Sequence, residues 1–290
     1  MYYDAHTHLN ADQLYPQREK YLDAFIAIWG EGLINIWVNH ERNQRGIDLA
    51  RSCQEKYGDS FFMKAAIGIH PGEVAYGHIT CDDGITKQIE QLKRLHDTHA
   101  QHIVAIGECG IDAHYDGYDS GKSLQQTLFH AQATLAKERN LPLVVHTRDQ
   151  FSDTIDILKD FTDLKINLHC RWYTPDDIQT AHELFPHLRI WFCGNTTYKK
   201  AQQLRDSLKK IINISPLDKE GLEGIWKNDV NSLNFLLETD APYLSPQQKR
   251  WITNEPAHLH LLYEAIAIEL DIPLSTLQHL CKQQFFSLYT

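Results

Sequence analysis

Residues 142–147 read Pro-Leu-Val-Val-His-Thr and residues 165–169 read Lys-Ile-Asn-Leu-His, two short apolar runs that each lead into a histidine. Six further runs rich in β-branched, aliphatic or aromatic residues recur along the chain: Tyr2–His8, Leu33–Asn39, Phe61–Ile69, His102–Glu108, Leu188–Gly194 and Asn234–Asp240. Polar segments of helical period lie between them. In Ser123–Arg139, Leu124, Leu128, Ala131 and Leu135 recur at steps of three and four. Strand alternating with helix predicts parallel strands joined by right-handed crossovers, and eight strands is the number a (β/α)8 TIM barrel needs. A doubly wound open sheet shares this alternation. The sequence, however, contains no GxGxxG or Walker-type loop that would favour a nucleotide-binding sheet.

Size agrees with a barrel. The chain has 290 residues, 42% of them hydrophobic, and a single barrel of about 250 residues is a common solution near that length. One domain over residues 1–290 is therefore expected, with no internal repeat or low-complexity linker. Pro216, Gly221, Gly224 and Trp226 interrupt any period in Ile211–Val230, which reads as a surface elaboration between the seventh and eighth strands. Helical patterns over His258–Leu270 and Leu274–Leu288 predict C-terminal helices, from about residue 258, outside the barrel.

The six cysteines are scattered without a CxxC pair, as thiols in a reducing compartment would be. No stretch approaches the roughly 18 apolar residues of a membrane span, and the N-terminus lacks a basic-then-apolar leader. A cytoplasmic location, without membrane partners, is the expectation. The net charge of −10 means that any nucleic-acid substrate must be gripped by local cations and bound metal. Among 17 histidines, several fall in apolar runs where an unpartnered imidazole is costly to bury.

His6 and His8, two apart on one run, point to the same side of a strand and can chelate one ion together; Asp4 shares that face. Taken alone, His-x-His is a weak signal. Position strengthens it, because His6 and His8, Glu108, His146, His169 and Asp240 fall at the C-terminal ends of predicted strands one, four, five, six and eight. Barrel enzymes build their sites at that end. Each residue alone could be a polar cap or face water. All six together, next to mostly apolar neighbours, point to metal. Four imidazoles and two carboxylates without thiolate suit magnesium, manganese, zinc, nickel or cobalt. Six ligands exceed one open catalytic site, so two divalent ions sharing Glu108 are expected. Two ions lower the pKa of a bound water and clamp the oxygens of a phosphoester or amide, with Asp240 as the candidate general base. Arg148, two residues past His146, is a candidate phosphate clamp or else a structural ion-pair partner. His70 ends the third run and is either a substrate contact or a hydrogen-bonded turn histidine before Pro71. His40, His114, His258 and His260 fit no ligand spacing.

Asp4-Ala5-His6-Thr7-His8-Leu9 and Gly107-Glu108-Cys109-Gly110-Ile111-Asp112 resemble motifs of the TatD family of metal-dependent deoxyribonucleases, within the amidohydrolase superfamily. Pro142–Arg148, Leu168-His169-Cys170 and Glu238–Pro246 are similar to that family's later metal motifs, with Gly68-Ile69-His70-Pro71 and Asn254-Glu255-Pro256 in support. The resemblance spans nearly the whole chain. It implies one metal on His6, His8, Glu108 and Asp240 and a second on Glu108, His146 and His169. It further implies cleavage of single-stranded DNA from a 3′ end. Two departures concern substrate contacts: Arg171-Trp172-Tyr173 follows Cys170 where the family has Phe-Ser-Gly, and Thr253 stands where arginine precedes Asn-Glu-Pro. Arg171 is a candidate replacement for that arginine; beside Trp172 it either holds a phosphate or is a solvated rim residue. The alternative activities are hydrolysis of a small-molecule amide or ester, or of an aminoacyl ester, by the same metal-activated water, and non-catalytic binding within an assembly.

Overall fold

The computed structural model describes residues 1–169, 173–214 and 234–290. Eight strands, β1 (Tyr2–Thr7), β2 (Gly30–Ile36), β3 (Phe62–Ile67), β4 (Ile103–Asp112), β5 (Leu143–Arg148), β6 (Ile166–Leu168), β7 (Leu188–Phe192) and β8 (Phe235–Leu237), lie in one sheet in chain order. The described pairs are parallel. A parallel bridge from Thr7 to Ala241, with Asp240 N donating to His6 O at 2.9 Å, returns the last strand to the first. The fold is the expected (β/α)8 barrel. Its helices are α1 (Arg18–Ala27), α2 (His40–Tyr57), α3 (Gly72–Ala75), α4 (Asp82–His99), α5 (Tyr118–Arg139), α6 (Phe151–Leu158), α7 (Pro175–Leu184), α8 (Gln202–Ile214), α9 (Leu259–Glu269) and α10 (Leu274–Tyr289). Among the described residues, no helix is long and apolar enough to cross a membrane.

The chain divides into two compact units. One comprises Met1–Leu33, Trp172–Glu183 and Leu188–Thr290, the other Ile34–Arg171 and Leu184–His187. In the first, the two C-terminal helices pack on β1. The Tyr263 hydroxyl of α9 donates to Tyr3 O at 3.2 Å, the Tyr289 hydroxyl of α10 donates to Ala5 O at 3.4 Å, and Tyr3 meets the Phe285 ring at 5.2 Å.

In the second unit, buried side-chain amides hold the strand ends. Asn43 on α2 brackets Gly68, accepting from its N–H at 3.1 Å and donating to its carbonyl at 3.0 Å. Two turns apart on α5, Gln132 brackets Ile69 at 2.8 and 2.9 Å, and Gln125 brackets Asp112 at 2.9 and 3.3 Å. A strand end leaving the sheet has backbone groups with no ladder partner, and these amides satisfy them. They also fix the residues that follow β3 and end β4. Helix α5 itself starts after Gly117 (φ 85°) and stops at Asn140 (φ 53°), both left-handed, so its length is set by residues that tolerate that conformation.

Three expectations are corrected. Strand β4 runs on to Asp112, so Glu108 lies inside it and not at its end; the apolar pattern breaks at Glu108 and Gly110, whereas the ladder to β5 continues. Helix α8 continues to Ile214 with Ile211 buried, so the start expected for the irregular stretch, Ile211, falls inside a helix; residues 215–230 lie outside the described residues. Cys193 is disulfide-bonded while Cys53, Cys81, Cys109 and Cys281 are free thiols, so the reading of all six as thiols does not hold, and the scattered spacing carried no signal for it.

Gly110 pairs with His146 across β4 and β5 and has φ +147°; a Cβ there would sit 1.8 Å from the His146 carbonyl oxygen. Gly110→Ala is expected to cost on the order of 3 kcal/mol, from a positive φ plus a backbone clash. Chemical denaturation checks this, and a variant as stable as wild type would contradict the account of β4–β5 pairing.

Candidate metal centre

In the first unit, β1 and the segment after β8 bring His6, His8 and Asp240 together. His6 Nε2 and His8 Nε2 lie 3.0 Å apart, with Asp240 Oδ1 at 3.6 Å from the first and 3.3 Å from the second. On its other side, His6 Nδ1 faces Glu238 Oε2 at 3.4 Å. Asp4, fully buried, ties the two segments. Its carboxylate accepts from Thr239 N at 2.9 Å, from the Thr239 hydroxyl at 2.6 Å and from His6 N at 3.2 Å. Burial pushes the Asp4 carboxyl up to about 8, against the lowering effect of these three donors. Asp240 has φ +53°, a left-handed conformation that aspartate accepts more readily than most residues. The Trp191 and Tyr243 rings close on His6 and His8 edge-to-face, at 6.0 and 5.9 Å.

In the second unit, β4, β5 and the residue after β6 supply Glu108, His146 and His169. Glu108 Oε1 lies 2.5 Å from His146 Nδ1 and 3.5 Å from His169 Nε2. His146 Nε2 meets Asp112 Oδ2 at 2.9 Å. Burial pushes the Asp112 carboxyl up, but the His146 hydrogen bond and charge and the His114 N–H together hold it below its ordinary value. His70 stacks edge-to-face on His146 with ring centres 4.3 Å apart. Its Nδ1 accepts from Gly72 N at 2.9 Å, which turns Nε2 toward Glu108 Oε1 at 3.9 Å.

The donor chemistry fits divalent cations. Two imidazole nitrogens bound to one zinc-sized ion at about 2.0–2.1 Å lie about 2.9–3.4 Å apart, the spacing His6 and His8 already show. Glu108, His146 and His169 offer three donor atoms within 4.8 Å of one another, all on buried residues. The Asp4, Glu108, Asp112, Glu238 and Asp240 side chains are buried, and among the described residues no lysine or arginine is buried to balance them. Buried carboxylates without a cation are costly. Glu238 and Asp112 stand behind His6 and His146 as the carboxylates that commonly fix the tautomer of a metal-binding histidine.

All six predicted ligands are thus placed in two clusters. Arg148 ends β5 partly exposed, and among the described residues its side chain makes no ion pair or hydrogen bond. His70 is both the turn histidine and a neighbour of His146. Arg171 and Trp172 lie outside the described residues. His40 and His114 are exposed, and His258 is buried against Asn254 Oδ1 at 3.1 Å. Sequence reasoning missed Glu238 and Asp112. Glu238 stands two residues before Asp240, as Asp4 does before His6, so the same i, i+2 rule could have found it.

A family model described as TatD related DNase matches residues 3–290. The chain belongs to this family. Among similar TatD-family relatives, it is 30% identical over 269 residues to a Bacillus subtilis protein named uncharacterized metal-dependent hydrolase YabD, covering 92% of this chain and 90% of that one. It is 31% identical over 204 residues to an Escherichia coli protein named uncharacterized metal-dependent hydrolase YcfH, covering 69% of this chain and 67% of that one. The solved structure of the TatD homologue YjjV of Escherichia coli superposes with a TM-score of 0.77 at 22% identity, over 99% of this chain and 97% of that one. The chain is a metal-dependent hydrolase of the TatD family, on the family's barrel.

Thr239→Val removes the hydroxyl that donates to Asp4 while keeping the shape of the side chain. It is expected to cost about 1–3 kcal/mol of stability and to weaken metal binding by about 10–100-fold, because Thr239 adjoins Asp240. Denaturation and metal titration together check this; metal affinity equal to that of wild type would contradict the role given to the Asp4–Thr239 tie.

Proposed function

We propose that the chain is a deoxyribonuclease that trims single-stranded DNA from its 3′ end, with one divalent ion, magnesium, manganese or zinc, in each cluster. The observation that carries this reading is the pair of buried His/carboxylate clusters, with Arg148, two residues past His146 on β5, making no ion pair or hydrogen bond among the described residues. Both clusters stand at or near C-terminal strand ends, where barrel enzymes act. When bound, such ions supply Lewis acidity toward a phosphodiester oxygen and a water acidified toward neutral pH.

The residues divide the remaining work. Asp240 Oδ1, 3.3 Å from His8 Nε2, holds the proton released when water attacks. Asp112 and Glu238 orient His146 and His6. Arg148 grips a phosphate oxygen, and its planar guanidinium suits that geometry better than a lysine would. The strand's end is carried over from the family resemblance. A metal-dependent esterase or amidase, acting on a small molecule or an aminoacyl ester, is the second reading; the net charge of −10 favours it, since the chain lacks long-range attraction for DNA.

The test incubates wild type and Asp240→Asn with end-labelled single- and double-stranded DNA and magnesium, manganese, zinc or chelator. Wild type is expected to shorten single strands only with metal, and the variant to be slower by on the order of 10²–10⁴-fold with its fold intact. No cleavage with any metal, despite two bound ions, would overturn DNA as the substrate and leave ester or amide hydrolysis.

A further inference from the structure

An aromatic path leads out of the second cluster. From His146 it passes to His70 (4.3 Å between ring centres), then to Tyr115 (6.2 Å), then to Tyr76 (5.2 Å), each contact edge-to-face. Tyr76 is 64% exposed, a large ring area left in water at the end of a path that starts on a proposed metal ligand. The path is held by local backbone. Gly72 N donates to His70 Nδ1 at 2.9 Å, Glu73 N to His70 O at 3.0 Å, and Tyr76 N to Gly72 O at 2.8 Å. A Cβ on Gly72 would fall 2.9 Å from His70 Nδ1 and 3.4 Å from both tyrosine side chains. A larger residue at 72 would press on His70 Nδ1.

The backbone of an arginine adjoins the Tyr115 segment. Tyr115 follows Asp112 by three residues, and the intervening Ala113 N donates to Arg148 O at 3.0 Å, so the Tyr115 segment is bonded to the arginine with no partner among the described residues. An exposed aromatic ring, packed on a second ring whose segment is backbone-bonded to an arginine at the end of β5, near the proposed catalytic centre, suits a single-stranded nucleic acid. Bases stack on the rings whatever their identity, and the phosphate meets the cation. Duplex DNA keeps its bases stacked on one another and does not offer them to such rings.

Resting on the nuclease reading above, we infer that Tyr76 and Tyr115 form a base-stacking subsite that takes the nucleobase adjoining the scissile phosphodiester. Arg148 holds the phosphate next to it. The subsite selects unpaired strands by requiring a base that can leave its stack, and it does so without reading sequence.

The test compares steady-state cleavage of a single-stranded oligonucleotide with cleavage of one of equal length and phosphate number whose 3′-terminal residues are abasic. Wild type is expected to show a KM about tenfold higher on the abasic strand, the worth of one stacked base. Tyr76→Ala and Tyr115→Ala are expected to bring that ratio close to one through a raised KM for the base-bearing strand. Tyr76→Phe and Tyr115→Phe keep the rings and the wild-type ratio. Because Tyr76 is exposed, its alanine variant tests the idea even if Tyr115→Ala unfolds. Alanine variants that keep the wild-type ratio, or a wild type that cleaves both strands with equal KM, overturn the subsite while leaving the nuclease reading in place. A wild type that cleaves neither strand overturns both.

Discussion

Five carboxylates, those of Asp4, Glu108, Asp112, Glu238 and Asp240, are buried in a chain whose described interior holds no lysine or arginine. That charge imbalance is the constraint on which the site depends. Isolated, each ionised carboxylate would cost several kcal/mol to bury or would take up a proton instead. The chain meets part of the cost with hydrogen-bond donors: three for Asp4, and a ring nitrogen and a backbone N–H for Asp112. It also sets His6 Nε2 and His8 Nε2 so that their lone pairs converge. Two such nitrogens 3.0 Å apart repel unless a proton or a cation lies between them. On the two-ion proposal, a divalent ion in each cluster would offset the carboxylate excess, and the one among His6, His8 and Asp240 would also relieve the nitrogen crowding there.

Placing those groups falls to neutral amides. Asn43, Gln125 and Gln132 are buried, and each brackets one residue at a strand end with both a donor and an acceptor. Such pairs lock strand-end backbone groups that have no ladder partner, and the segments they lock carry His70 and Asp112. Thr239 and Asp4 do the same for Asp240. The loops that hold chemistry thus inherit rigidity from helices behind them, which is what precise ligand placement needs. The outward path of rings then gives one cluster a substrate-facing side built from the same fixed turn.

Much of this was legible in the sequence, and for definite reasons. Val144-Val145-His146 and Asn167-Leu168-His169 show apolar strand residues running straight into a histidine, a pattern that burial makes expensive and therefore informative. Eight apolar runs separated by segments of helical period matched the strand count of a barrel. What escaped has equally definite causes. Glu108 looked terminal because glycines at 107 and 110 end the apolar pattern, yet glycine is what lets β4 approach β5 there. Asp112 and Glu238 act through histidines, and a carboxylate that supports a ligand looks like any other acidic residue until the fold sets it beside one. Gln125 and Gln132 read as ordinary polar positions of a helix; only the neighbouring strand ends reveal what their amides do. Tyr76 and Tyr115 are far apart in the chain, so no local period could join them. Helix α8 reaches Ile214 because its apolar residues continue past the point where prolines and glycines further on suggested irregularity.

The most direct test of the central claim is anomalous diffraction from crystals of the chain grown with manganese or zinc. Two peaks are expected, one among His6, His8 and Asp240, the other among Glu108, His146 and His169, with ligand distances near 2.0–2.3 Å. Crystals saturated with metal that show no peak in either cluster, with the buried carboxylates bonded only to protonated histidines, would contradict the account.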